Sequence, residues 1–334
     1  MNPIRWALVG ASTIAREWMC HAITAEGAGQ ILAVVSQSQD RADKFAAEFN
    51  IPQASSALDD VLTNADIDAV YISTTNGHHF AQAIAAMKAG KHVLCEKPLA
   101  LTLDEAREMV AVSQQAGVVM ATNHHLRNAA THRKMRELVQ TGAIGKPLFA
   151  RVSHAVYLPE HLQGWRLNRP EEGGGVILDI TVHDVDTLRF IFGANPLSTV
   201  GIGRNSQMAI QDLEDGVMAV IEFENGVLAQ VHDAFTTRFA ETGIEIHGTA
   251  GSIFAKNVMT QKAVGTVELK TEAGLSAVAV EHENLYVRSV RCFHEAVRGL
   301  GLPAATGEDG VWSLATALAV QEACRTYRRV YVAI

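Results

Sequence analysis

The stretch Gly90-Lys91-His92-Val93-Leu94-Cys95-Glu96-Lys97-Pro98-Leu99-Ala100 decides how the chain is read. Val93 to Cys95 is short, apolar and partly β-branched, which predicts a buried strand. Glu96 and Lys97 stand where that strand must end. Pro98 has no N–H to give to a ladder, so pairing stops there. In an open α/β sheet the carboxyl ends of the strands form the ligand crevice. An ammonium group there can stabilise negative charge on a reacting oxygen. Taken alone, a surface lysine after an edge strand would read the same way, and the rest of the chain decides between the two.

Upstream, strands and helices alternate. Arg5–Val9 reads as a strand, then Gly10-Ala11-Ser12-Thr13-Ile14-Ala15 turns into a helix. Ile14, Trp18 and Ala22 recur at i, i+4 and i+8, one face of that helix. A tight turn feeding a helix presents N–H groups to a pyrophosphate, usually as G-x-G-x-x-G/A. Gly10 takes the first place, Ser12 the second and Ala15 the third. A second strand is expected over Gln30–Ser36. NAD-binding versions carry an acid near its end for the ribose 2′-OH. Here the run is Ser36-Gln37-Ser38-Gln39-Asp40-Arg41. A carboxylate would repel a 2′-phosphate, whereas a hydroxyl and a guanidinium bind it. That favours NADP(H) over NAD. In the competing reading Arg41 merely opens a helix to Asn50, capped by Asp40.

Ala69–Ser73 is a third strand, followed by Thr74-Thr75-Asn76-Gly77-His78-His79 and a helix expected over Phe80–Ala89. The hydroxyl and amide groups of that turn suit ribose or nicotinamide, although ordinary turn chemistry also uses Thr and Asn. Thr102-Leu103-Asp104-Glu105 is a capping-box pattern opening a helix to about Ala116. Val118–Thr122 is one more strand, ending at Asn123. This alternation predicts an α/β, doubly wound parallel sheet, a dinucleotide-binding Rossmann domain over residues 1–123.

The texture then changes. Pro147–Tyr157 reads as a long strand and Leu158–Gly175 as an irregular loop rich in Pro and Gly. Gly216–Glu224 and Val227–Phe235 flank Asn225-Gly226, a strong hairpin signal. Further strands are expected over Ser198–Arg204, Gly243–His247, Ser252–Lys256 and Val264–Lys270, and helices near Leu285–Arg298 and Gly310–Arg328. Strands joined by hairpins predict an α+β domain over 124–334 with a mostly antiparallel sheet. Within it, Asp179-Ile180-Thr181-Val182-His183 follows three glycines and opens a helix to Phe192. The i, i+4 spacing sets Asp179 and His183 on one face. Histidine is suited to proton transfer near neutral pH. An N-cap Asp with a core His, or two ligands of a metal, fit the spacing too; a metal would need more ligands, and the sequence names none.

The chain's 334 residues suggest two domains, and 48% hydrophobic content supports a sizeable core. Its net charge of −8, with no run of Lys or Arg, argues against nucleic acid or an anionic membrane as partner. Cys20, Cys95, Cys292 and Cys324 are scattered and read as reduced thiols of a cytoplasmic protein. Neither a secretion signal nor a membrane span is expected. A small-molecule partner is expected, with the assembly a monomer or a small homo-oligomer.

With Glu96-Lys97-Pro98 ending one strand and Asp179-x-x-x-His183 in the second half, the chain resembles the glucose–fructose oxidoreductase / inositol dehydrogenase family. The resemblance covers nearly the whole sequence. It implies a Rossmann domain followed by a domain with a large open-faced mixed sheet. It implies Lys97 and His183 at a substrate carbonyl and a cis Lys97–Pro98 peptide; Asp179 is expected to orient the histidine. It implies cofactor contacts at Ala11, Ser12, Thr13, Ile14, Ser36, Arg41, Thr74 to His79, Glu96, Asn123, Trp165, Arg166 and Tyr286; Gly10, Gln37 and Lys97 complete that set. The expected activity is NADPH-dependent reduction of a cyclic sugar ketone. The alternatives are an NAD(P)-dependent dehydrogenase of an inositol or aldose, and a non-catalytic NADP sensor.

Overall fold

The computed structural model describes residues 2–210 and 212–334. The chain divides into two compact units, 1–125 with 286–311, and 126–285 with 312–334.

The first unit holds six parallel strands, β1 (Ile4–Val9), β2 (Gly29–Val35), β3 (Gln53–Ser55), β4 (Ala69–Ile72), β5 (His92–Cys95) and β6 (Met120–Thr122). They lie in the order β3-β2-β1-β4-β5-β6. Every side chain of β4 is buried and β5 is buried from Val93 to Cys95, which is why these strands read as continuous apolar runs. The order reverses between β1 and β4, so the crevice forms at their carboxyl ends. Gly10 follows one strand and Ser73-Thr74 the other.

Local signals set the helices, with some surprises. Thr102 and Glu105 form the expected capping box on helix Leu103–Ala116. Ser38, not Asp40, caps helix Gln39–Phe49, its hydroxyl accepting from the Arg41 N–H. The helix expected from Phe80 starts earlier, at Asn76. The helix after the glycine turn begins as a π-helical segment, Ala15–Met19, before Cys20–Glu26. That extra residue per turn rotates its inner face to Ala15, Met19, Ala22 and Ile23, away from the expected Ile14 and Trp18.

The sequence division at 123/124 differs from the structure because residues 286–311 return to the first unit. Phe293 packs at a tilt against the fully buried Trp6, with ring centroids 5.0 Å apart. Trp6 Nε1 donates to His294 Nε2 at 2.9 Å, and His294 Nδ1 lies 2.8 Å from Glu26. Thr122 N–H donates to Ala305 O. A chain read in order gives no sign of such a return.

The second unit is built on nine strands: β7 (Pro147–Ala155), β8 (Pro196–Arg204), β9 (Gly216–Phe223), β10 (Leu228–Ala234), β11 (Gly243–Gly248), β12 (Ser252–Lys256), β13 (Thr266–Thr271), β14 (Gly274–Val278) and β15 (Val330–Tyr331). Their order is β14-β13-β12-β11-β7-β10-β9-β8-β15. Among the described residues only the β7–β10 pair of this sheet is parallel, so the sheet is mixed and mostly antiparallel as expected. Val217, Ala219, Ile221, Val231, Ile244 and Ile246 point into the core, while Phe149, Val200, Ile202, Met218 and Val220 stay exposed on the other face. Helix Val182–Phe192 is buried along nearly its whole length. The expected loop Leu158–Gly175 contains a helix, Glu160–Asn168, whose periodicity is hidden by a kink at Gly164.

Candidate active site

In the first unit, Gly10 has φ +114°, and a Cβ there would meet Ser73 C at 3.0 Å and Thr74 N at 3.1 Å. Only glycine fits so close an approach of the β1 and β4 ends. Ser12, in place of the usual second glycine, caps the following helix: the Ala15 N–H donates to its Oγ at 3.1 Å. Its hydroxyl also pairs with Ser73 Oγ at 2.7 Å. The serine therefore stiffens the turn from inside. Arg41 reaches the same turn, its Nη2 donating to Ala11 O at 2.9 Å. Ser36, buried, follows β2, and no carboxylate stands there. Gln37 Nε2 lies 3.4 Å from His78 Nε2. These residues form a cradle suited to a dinucleotide: a backbone turn at a helix N-terminus, one glycine and one guanidinium.

The Glu96-Lys97-Pro98 turn is held by buried polar bonds. Tyr71 O–H and Asn123 Nδ2 each donate to Glu96 Oε1 at 2.6 Å. Ser289 Oγ donates to Asn123 Oδ1 at 2.9 Å, and Asn123 N–H to Cys95 O at 2.7 Å. Loss of water raises the Glu96 carboxyl pKa, and the two donors oppose that. Burial beside Glu96 pushes the Tyr71 phenol well above its ordinary value. His79 is fully buried, with Nδ1 2.8 Å from Pro98 O and Nε2 3.1 Å from Thr74 O. Burial lowers its pKa, and the two carbonyl oxygens oppose that. The Lys97–Pro98 peptide is cis. Glu96, Asn123 and His79 thus brace the turn that presents Lys97. Asn76 is buried at the start of its helix, Thr74 Oγ1 donates to Gln82 at 2.7 Å, and Gly77 is exposed. Tyr286 is buried too, stacked between Trp18 and His125 at 5.2 and 5.3 Å.

In the second unit, Arg166 Nε donates to Asp179 Oδ2 at 3.0 Å, and its guanidinium lies over the Trp165 ring at 4.6 Å. Trp165, Arg166 and Asp179 are brought together. Gly174 and Gly175 let the chain pass close to Arg166. Gly175 has φ +97° and its N–H donates to Arg166 O; a Cβ on Gly174 would meet Arg166 O at 3.0 Å. Asp179 lies in a π-helical turn, Ile177–Thr181, and His183 is the second residue of the α-helix Val182–Phe192 after it. Arg127, unforeseen from sequence, clasps Asp186 in a buried two-point ion pair at 2.8 and 2.7 Å. No group of His, Cys, Asp and Glu among the described residues is arranged to hold a metal ion.

Residues 4–124 match the oxidoreductase family with an NAD-binding Rossmann fold, and residues 132–254 the GFO/IDH/MocA C-terminal domain. A 1,5-anhydro-D-fructose reductase of Ensifer adhaerens is 56% identical over 322 residues, 96% of each chain. The chain belongs to the GFO/IDH/MocA oxidoreductases. As a member of that family, it is an oxidoreductase with an NAD-binding Rossmann domain. Its fold matches an aldose-aldose oxidoreductase of Caulobacter crescentus with TM-score 0.91 at 22% identity, covering 99% of this chain and 100% of that one. It also matches a 3-ketoreductase of Actinomadura kijaniata, solved with NADP and TDP-benzene, with TM-score 0.86 at 25% identity over 96% and 98% of the two chains. No helix among the described residues is long and apolar enough to cross a membrane.

Proposed function

We propose that this GFO/IDH/MocA oxidoreductase uses NADPH to reduce the ring ketone of 1,5-anhydro-D-fructose, giving 1,5-anhydro-D-mannitol. The observation that carries the reading is the 56% identity, over 96% of both chains, to a reductase of that name. At such identity the braced Glu96-Lys97-Pro98 turn and the Asp179/His183 segment are expected to do the same chemistry. The choice of NADPH is supported by Arg41 at the phosphate turn and by Ser36 where an acid would stand.

The bound cofactor supplies the hydride. The protein's part is to bind, polarise and move a proton. Lys97 stabilises the negative charge that grows on the carbonyl oxygen. His183 donates the proton that completes the alcohol. Asp179 keeps the donor in register and is itself fixed by Arg166. Glu96, held by Tyr71 and Asn123, fixes the backbone that presents Lys97. Buried free Cys20, Cys95 and Cys324 suit a reducing compartment such as the cytoplasm.

A steady-state panel of sugar ketones and polyols with both nicotinamide cofactors tests the reading. Fastest NADPH consumption is expected with 1,5-anhydro-D-fructose, with 1,5-anhydro-D-mannitol as product. Turnover of an inositol or an aldose with no ketone reduced would replace it with a dehydrogenase. Tight NADP binding with no turnover of any sugar would leave a sensor.

A further inference from the structure

Beside His183 lies a polar cluster that the mechanism above does not use. Asp184 and Asp233 are both fully buried and face each other, one from helix Val182–Phe192 and one from β10. His154, on β7 and paired in register with Asp233, puts its Nδ1 2.7 Å from Asp184 Oδ1. Thr181 Oγ1 donates to Asp233 Oδ2 at 2.5 Å. The two oxygens left over, Asp184 Oδ2 and Asp233 Oδ1, have no N–H or hydroxyl donor. Two bare carboxylates would leave them repelling each other away from water. A single proton on Asp233 Oδ1 satisfies all four oxygens together. Thr181 then donates to Asp233, Asp233 to Asp184, and His154 to Asp184.

We propose that Asp184 and Asp233 share one proton at neutral pH, and that this carboxyl pair positions His183 by pinning the residues on both sides of it to the sheet. Thr181 and Asp184 flank His183 in sequence, and both are tied to strand residues through the pair. The helical turn that carries the proton donor therefore cannot shift without breaking a buried bond. The surroundings favour the shared proton. Val217, opposite Asp233 on β9, is apolar. His132, from helix Ala130–Gln140, is buried and within electrostatic reach of His154. Arg127 and Asp186 neutralise each other. Burial then raises both pair members, Asp184 to about 7 and Asp233 well above its usual range. Asp184 and Asp233 are positioning residues, and the proposal rests on His183 being the proton donor.

Three variants of the full chain test it. Asp233→Asn keeps the geometry with an amide N–H in place of the shared proton. Asp233→Leu and the milder Asp233→Ser break the clamp. The infrared difference between wild type and Asp233→Asn at neutral pH is expected to show the carbonyl stretch of an un-ionised carboxylic acid lost from the wild type. Asp233→Leu is expected to lower kcat by about 10²-fold, as a donor displaced by an ångström does, with NADPH affinity unchanged; Asp233→Asn recovers kcat. No carboxylic-acid band in the wild type would overturn the shared proton. Wild-type kcat in a folded Asp233→Leu or Asp233→Ser would overturn the positioning. Full turnover in His183→Ala would instead remove His183 as the donor, while the infrared result still decides the proton.

Discussion

Arg41 Nη2 donates to the carbonyl oxygen of Ala11 at 2.9 Å, joining the first turn of helix Gln39–Phe49 to the turn after β1. A guanidinium carries five N–H donors in a flat fork, and this bond uses one of them. The cation is thereby set beside the turn that follows β1, and Ser36 stands just past the end of β2. The proposed preference for NADPH rests on this pair, which stands where an NAD-selective site would carry a carboxylate.

Arg41→Ala is therefore expected to weaken NADPH binding about ten- to a hundred-fold, the worth of a charge-assisted contact of ~1.5–3 kcal/mol, and to change NADH binding far less. Dissociation constants from nicotinamide fluorescence check this. Equal losses for both cofactors would mean that Arg41 does not read the 2′-phosphate.

Space is also decisive at Gly310. A Cβ there would stand 2.3 Å from Thr122 Oγ1 and 2.6 Å from Leu99 Cδ1. Leu99 follows Pro98, so pressure on it reaches the Lys97 turn. Gly310→Ala is expected to cost ~1–3 kcal/mol, the usual range for overpacking a well-filled core. Urea unfolding measures it, and an unchanged midpoint would mean that the site relaxes freely.

How far the sequence revealed these features depended on the range of the interaction. The Thr102/Glu105 capping box, the Asn225-Gly226 hairpin and the apolar run before Glu96 are local, and each stood where it was expected. Helix Glu160–Asn168 was hidden because Gly164 interrupts its spacing, and β14 because its residues are mostly exposed and lack alternation. The roles of Glu96, Asn123 and His79 as braces, and the clustering of His154, Asp184 and Asp233, come from segments distant in sequence. Histidine and carboxylate spacing alone cannot announce a partner on another strand. The π-helical segments at Ala15–Met19 and Ile177–Thr181 were equally silent, since no residue type signals the extra residue per turn.

His132 supplies a pH dependence. It is fully buried, and loss of water lowers its pKa from 6.5 to about 3. Between those values the unfolded chain takes up a proton that the folded chain refuses. The contribution is thus fully present above about pH 6.5 and is lost as pH falls, by ~1.4 kcal/mol per unit at most. His132→Gln is expected to flatten the acid side of the stability profile relative to wild type. Parallel profiles in urea from pH 7 to pH 4 would contradict this.

Arg166 and Asp179 are predicted to act together. Asp179→Asn keeps the size of the side chain but removes the charge facing Arg166, across a contact of 3.0 Å. It is expected to lower kcat for the sugar ketone while leaving the fold intact by circular dichroism. Adding Arg166→Ala should then cost much less than Arg166→Ala does alone, the sign of a coupled pair. Independent, additive losses would separate the two residues.

The most direct test of the account is to measure, for Lys97→Ala, both NADPH affinity and the rate of NADPH oxidation with 1,5-anhydro-D-fructose. Loss of a preorganised charge at the developing oxyanion is worth ~10²–10³ in kcat. A fall of that order is expected, with the NADPH dissociation constant nearly unchanged. Full turnover without the Lys97 amine would contradict it.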